Sequence, residues 1–191
     1  MGLAQRRLLT EDDYLAYEAQ AFERHEFVGG EVHAMAGASV RHNRIAGNLF
    51  SRLHSATAGT PCMVLMSDVK LRLDSGNIYY YPDVMLACDP TDNDAYARAR
   101  PCLIVEVASP GTANIDRREK WAAYQRIQTL REYLIVDQDE IRIELRRREN
   151  LRDWSLTTFE AGEVLELASL PGFSIPVDDI YRDLPPVEDK A

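Results

Sequence analysis

The sequence predicts a mixed α/β (α+β) domain, a β-sheet flanked by helices, and three observations predict it. Two runs, Val84-Met85-Leu86-Ala87 and Leu103-Ile104-Val105-Glu106-Val107-Ala108, are apolar and rich in β-branched residues without alternation, as strands covered on both faces are. Val40, Ile45, Leu49 and Leu53 recur at the spacing of one helical face. From residue 39 to 137 the elements follow the order α-β-β-β-α-β, a pattern of helices layered on a sheet.

Each element has its own local signal. Thr10 with Glu11, Asp12 and Asp13 supplies a cap and a first turn of acids, so a helix runs from there to about Phe22. Phe27-Val28-Gly29-Gly30-Glu31-Val32 has the form of a hairpin turning on two glycines. Ser39 caps a longer helix to about Thr57, which Gly59-Thr60-Pro61 ends. Strands are expected over 62–73 and 78–87, separated by the turn Asp74-Ser75-Gly76-Asn77, and a polar, Asp-rich loop over 88–100. The strand at 102–108 stops at Ser109-Pro110-Gly111. A helix from about Asn114 to Arg126 follows, with Trp121, Tyr124 and Ile127 on one face. A strand at 132–136 precedes the alternating segment 141–145, whose partner is 154–159. A short β segment and the acidic, Pro-rich stretch Pro185-Pro186-Val187-Glu188 complete the reading. With no repeat, low-complexity tract or internal boundary, one domain over 1–191 with its core at about 39–137 is expected.

At 46% hydrophobic and 28% charged residues the chain has the composition of a globular protein. No segment reaches the length of a membrane span and residues 1–25 lack an apolar signal core, so a cytoplasmic location is expected. The three cysteines, Cys62, Cys88 and Cys102, have no metal-binding spacing and read as reduced, partly buried small hydrophobes. A net charge of −9 argues against strong nonspecific binding of nucleic acid. The basic residues are nevertheless clustered: Arg41, Arg44 and Arg52; Arg117, Arg118, Lys120 and Arg126; Arg142, Arg146, Arg147, Arg148 and Arg152.

The most informative residue is Glu106, a carboxylate inside an apolar strand. Unpaired there it would cost several kcal/mol, so it must neutralise, pair or hold a cation. Asp83 lies 23 residues earlier, between Pro82 and a second apolar run, and Lys120 lies 14 residues later on a helix. Two acids on adjacent strands with a nearby lysine suit a hard divalent ion over a phosphodiester; structural ion pairing is the competing reading.

This order, with Pro82-Asp83, then a strand bearing Glu106 and a helix bearing Lys120, resembles the PD-(D/E)XK nuclease superfamily and, within it, the Uma-type restriction endonuclease family. The matching stretches begin with His25-Glu26-Phe27, Gly30-Glu31-Val32 with Met35, Ser39 with His42-Asn43, and Ser67-Asp68-Val69. They continue with Tyr81-Pro82-Asp83-Val84, Val105-Glu106-Val107 with Ser109-Pro110, Asp116 with Glu119-Lys120, and Leu130-Arg131-Glu132-Tyr133. One departure stands out: the superfamily's lysine two residues after the acid is Ala108 here, and Lys120 matches the Uma-type position on the next helix.

The resemblance implies a restriction-endonuclease-like fold, an αβββαβ core with an extra N-terminal hairpin and extra C-terminal strands. It implies a Mg²⁺-dependent endonuclease that hydrolyses DNA with metal-activated water. Asp83 and Glu106, with the Val107 carbonyl, would bind Mg²⁺ or Mn²⁺, and Lys120 would hold the water or the phosphate. Tyr124, one turn after Lys120, reaches the same cleft or serves as a core aromatic. Glu31 is a third metal carboxylate or a solvent-exposed hairpin acid. His42 contacts phosphate or Asp68, or is a surface or capping histidine. Asp68 joins the site or ends a strand, and Asp116 orients Lys120 at i,i+4 or caps the helix start. The alternative function is a nuclease-fold module for binding nucleic acid or protein with weak or no cleavage, and a third is a phosphodiesterase for RNA or nucleotides. Because duplex cleavage needs two active sites, a homodimer is expected, with 141–145 and 154–159 as candidate interface segments.

Overall fold

The computed structural model describes residues 8–109 and 111–185. Its elements in chain order begin with α1 (Glu11–Glu18), the hairpin β1 (His25–Val28) and β2 (Glu31–Ala34), and α2 (Val40–Ala56). Then come β3 (Met63–Met66), β4 (Lys70–Leu73), β5 (Ile78–Tyr80), β6 (Val84–Ala87), β7 (Ala97–Arg98) and β8 (Leu103–Ala108). A composite helix follows: α3 (Ala113–Ile115), a wide π turn (Asp116–Lys120) and α4 (Trp121–Tyr124). After it lie β9 (Glu132–Asp137), β10 (Arg142–Arg148), β11 (Trp154–Glu160), β12 (Val164–Glu166), β13 (Ser174–Pro176) and α5 (Val177–Ile180).

The main sheet has six strands in the order β11-β10-β9-β8-β6-β3, and only β8–β9 run parallel. A parallel pair needs a long crossover, and the composite helix 113–124 supplies it. Along β8 the alternation of strand side chains divides two cores. Leu103, Val105 and Val107 join the cluster beneath α2 with Ile45, Leu49 and Leu53, whereas Ile104 and Ala108 join Tyr124, Tyr133 and Leu71 on the other face. Glu106 is on this second face, under the composite helix.

Three expectations are corrected. The two long strands each break in the middle: 62–73 becomes β3 and β4, 78–87 becomes β5 and β6, and in each case the halves join different sheets. Asp68, with φ of 73°, turns the first break, and Tyr81-Pro82-Asp83 forms the second. A smaller sheet, β2-β1-β5-β4-β7, therefore folds over the main one. The first helix stops at Glu18 rather than Phe22. The Glu18 carboxylate is buried, accepting the His25 backbone N–H at 3.1 Å and the Tyr81 hydroxyl at 2.8 Å, which ties the helix end to both neighbouring segments. The segments 141–145 and 154–159 pair with each other as expected, and β10 joins them to β9 in the main sheet.

The cysteines are the third correction. Cys62 and Cys88 form a disulfide, and Cys102 alone is free. Met63 pairs with Ala87 across β3 and β6, so the next step of that register sets Cys62 opposite Cys88. Sequence separation hid a pairing that the sheet creates.

Other expectations hold with sharper detail. Gly29 and Gly30 have φ of 58° and 95°, the left-handed conformations a two-residue hairpin demands. Ser39 caps α2 by accepting the His42 backbone N–H. The Asp-rich loop is held by its own acids: Asp92 accepts from the N–H groups of Ala99 and Arg100, and Asp94 from those of Tyr96 and Ala97. Residues 186–188 of the Pro-rich stretch, and Pro110, lie outside the described residues. Among the described residues no helix is long and apolar enough to cross a membrane.

One carboxylate serves stability away from the acids of the second face. Glu132 is fully buried and binds Arg147 at 2.9 Å together with the backbone N–H and hydroxyl of Ser169. Glu132→Ala should therefore destabilise the protein by about 3 kcal/mol, read from denaturant melts, because charged hydrogen bonds are lost and buried donors are left unpaired.

Candidate active site

The break at Tyr81-Pro82-Asp83 positions the first acid. Val84 pairs with Val105 across β6 and β8, so Asp83 continues that register opposite Glu106, on the same face. Its Oδ2 accepts the Val107 backbone N–H at 2.7 Å, in place of the carbonyl a longer β6 would have offered. The N–H and carbonyl of one strand residue point to the same side, so the Val107 carbonyl is directed to this edge as well. His42, in the first turn of α2, places Nε2 3.1 Å from the same Asp83 oxygen.

Glu106 is buried at 3% exposure and is held from above by the composite helix. Lys120 donates to its Oε1 at 3.1 Å and the Tyr124 hydroxyl donates to the same atom at 2.7 Å. The π turn carries both Asp116 and Lys120 inward, and Asp116 Oδ1 is 3.5 Å from Nζ. Such widened turns are frequent at functional sites. From the other side Glu26, on β1, contacts Nζ at 3.1 Å.

One lysine thus faces three carboxylates, with Asp83 beside them. Burial pushes the Glu106 carboxyl up to about 8; Lys120 opposes that shift, while Asp83 and Asp116 add to it. Burial also raises Asp116, against the pull of Lys120. For Lys120 burial would lower the value, but Glu106, Glu26 and Asp116 together hold it well above the ordinary range. Burial and the neighbouring Glu106 raise Tyr124, so it stays a neutral donor. The cluster carries a surplus of negative charge that a cation would relieve.

The donor set fits a hard divalent ion. All described hydrogen bonds to Glu106 fall on Oε1 and those to Asp83 on Oδ2, which leaves Oε2 and Oδ1 for a cation. Among the described residues no three His, Cys, Asp or Glu side chains form a complete cage. Mg²⁺ does not need one, because it keeps waters and takes substrate oxygens beside one or two carboxylates.

Of the expected site residues, Asp83, Glu106, Lys120, His42, Asp116 and Tyr124 meet here. Glu31 and Asp68 do not. Glu31 is exposed on β2 with His33 Nε2 3.9 Å away, and Asp68 is exposed and pairs with Arg24 at 3.0 Å. Glu26 was missed: it belongs to the stretch His25-Glu26-Phe27 but had no assigned role. Its only signal is an acid in a short apolar strand, and nothing in the spacing ties β1 to Lys120. The basic clusters are largely spent on internal pairs: Arg117 with Glu144 at 3.0 Å, Arg126 with Asp74 at 2.7 Å, Arg147 with Glu132 and Arg52 with Asp179.

Comparison with known proteins gives the family and the fold. Residues 11–178 match the model of the Uma2 family, described as "Putative restriction endonuclease". The Synechocystis sp. protein slr1290 is 35% identical over 177 residues, covering 92% of this chain and 93% of its own, and sll1609 of the same organism is 38% identical over 160 residues, covering 82% and 90%. A crystal structure from Anabaena variabilis, described as "a putative nuclease belonging to DUF820", superposes with a TM-score of 0.74 at 13% identity, covering 91% of this chain and 97% of that one. With its sheet order, its paired strand acids and a family match along most of its length, this chain belongs to the Uma2 family and has the restriction-endonuclease-like fold.

Proposed function

We propose that the protein is a cytoplasmic, Mg²⁺- or Mn²⁺-dependent endonuclease that hydrolyses DNA phosphodiester bonds. The observation that carries this reading is the placement of Asp83 and Glu106 side by side at the break of β6, under a helix turn that supplies Lys120. Asp83, Glu106 and the Val107 carbonyl would hold the ion, which when bound supplies Lewis-acid charge to the phosphodiester and the attacking water. Lys120 adds a fixed positive charge beside the place where negative charge builds up. Glu26 and Asp116 keep that ammonium charged and in place, and Tyr124 fixes the rotamer of Glu106. His42 orients Asp83 through the oxygen that also caps Val107. His42→Ala should lower cleavage about 10- to 100-fold while leaving the melting temperature nearly unchanged, as loss of an outer partner of a metal ligand does.

The test is plasmid cleavage with EDTA, Mg²⁺ or Mn²⁺, on wild type beside Asp83→Ala. Metal-dependent nicking or linearisation by wild type alone is the expected result. No cleavage of plasmid under any metal would support the second reading, a nuclease-fold binding module. The net charge of −9 and the internally paired arginines favour that reading. Cleavage of RNA but not DNA would move the substrate class. We also propose a homodimer, since β11 leaves a free edge on the main sheet and two strands need two sites. Light scattering at working concentration should give twice the chain mass; a monomer mass removes the dimer.

A further inference from the structure

Three sulfurs meet at the end of the main sheet away from Asp83. Cys62 precedes β3, Cys88 follows β6 and Cys102 precedes β8, on three neighbouring strands. Cys62 and Cys88 are bonded, and the free Cys102 sulfur is 3.6 Å from that of Cys88. Its thiol donates to the Leu86 carbonyl at 3.3 Å, so it is held in this position. All three cysteines line a groove of about 910 Å³ that opens to solvent. None of this involves the acid cluster.

We propose that Cys62, Cys88 and Cys102 form a thiol–disulfide exchange centre in which Cys102 is the internal nucleophile. The Cys102 thiolate attacks Cys88 Sγ, a Cys88–Cys102 bond forms and the Cys62–Cys88 bond breaks. Cys62 leaves as a thiolate and takes up a proton equivalent to the one Cys102 released. The old bonding pair departs with Cys62 and Cys102 supplies the new one, so one disulfide and one thiol remain and no oxidant or reductant is consumed. The cross-link moves from β3–β6 to β6–β8, and the free thiol moves from Cys102 to Cys62. The centre is thereby a modification site with two interchangeable exits, open through the groove to small soluble thiols and disulfides.

Exchange runs through the thiolate, and its rate follows the thiolate fraction. Burial pushes the Cys102 thiol up to about 11, with its own backbone and Arg131 opposing and Glu132 adding. The other charged groups around the groove are Asp89 after β6, Arg100 after β7, Arg147 and Arg148 on β10, and Glu149 in the turn that follows it. The centre is therefore slow at neutral pH and quickens about tenfold per pH unit toward 11.

The experiment follows the free thiol. The oxidised full chain, freed of reductant, is held at pH 7 or pH 9, quenched with acid, denatured and alkylated with N-ethylmaleimide, and its disulfides are mapped by peptide mass spectrometry. Label is expected first on Cys102 and then increasingly on Cys62, with a Cys88–Cys102 peptide appearing about 100-fold faster at pH 9 than at pH 7. Cys62→Ser should oxidise to the Cys88–Cys102 disulfide, and Cys102→Ser should hold the Cys62–Cys88 bond alone at both pH values. Label remaining only on Cys102 at pH 9, Cys62→Ser forming no Cys88–Cys102 bond, or all three cysteines labelled in the oxidised chain would each overturn the proposal. Should Cys62→Ser fail to fold, the wild-type and Cys102→Ser time courses decide it.

Discussion

Mn²⁺ should raise the melting temperature of the wild type, and neither Asp83→Asn nor Glu106→Gln should respond to it. The gain arises by mass action, reaching about 2.7 kcal/mol at a metal concentration one hundred times the dissociation constant. In EDTA the two variants should be at least as stable as wild type, because each removes a carboxylate from a cluster with surplus negative charge. The pH dependence has a definite sign. The folded Glu106 carboxyl, at about 8, lies above its ordinary value of 4.5, so folding disfavours its ionised form. Its contribution is fully present below about pH 4.5 and is lost as pH rises through 8. Lys120 keeps its charge in both states across this window, so it does not cancel the effect. Metal-free wild type should therefore lose stability between pH 5 and pH 9, and Glu106→Gln should lack that part of the slope. Thermal melts of the three proteins with EDTA and with Mn²⁺ check both statements. A wild type indifferent to metal, with variants destabilised by about 3–5 kcal/mol, would mean that the carboxylates are structural partners only.

Replacing Lys120 with Met should be the most damaging single change. It leaves Glu26, Glu106 and Asp116 facing one another with no cation inside a buried pocket. Breaking a buried ion pair from one side costs about 3–5 kcal/mol at neutral pH. The sign follows from the acids: without Lys120 their folded values rise further, so the variant should regain stability as pH falls toward 5. Mn²⁺ should also restore part of the loss, by supplying the missing positive charge. Cleavage should fall about 100- to 1,000-fold even where the fold is restored by metal, since a preorganised positive charge at the reacting phosphate is gone. Lys120→Arg should not rescue it, because a planar guanidinium cannot place one compact charge between three carboxylates. Melts at pH 5 and pH 8, with and without Mn²⁺, beside plasmid cleavage, separate the charge effect from a packing defect. A variant as stable as wild type at pH 8 would show that the three contacts are weak.

Much of the architecture was legible from the chain because it depends on local chemistry. Ser39 as a cap, Gly29-Gly30 as a turn and the unbroken apolar runs at 84–87 and 103–108 each act within a few residues of themselves. So does the anomaly of Glu106, since a carboxylate in such a run needs a partner wherever the strand lies. The identity of that partner set was decided by tertiary structure. Glu26 reaches Lys120 only because β1 pairs with β5 and the small sheet folds over the main one. Asp68 and Glu31 belong to matching stretches yet end exposed: Asp68 turns the strand break at residues 67–69 that carries the chain to the smaller sheet, and Glu31 lies on β2, the edge strand of that sheet. The Cys62–Cys88 bond likewise exists because antiparallel register sets two residues opposite each other that are 26 apart in sequence. Caps, turns and burial patterns are short-range properties of residue type, and the sequence by itself determined them, together with the need for a charge partner at Glu106. Which distant side chains supply that charge is set by strand register and by which sheet each half-strand joins, and only the folded chain decided it.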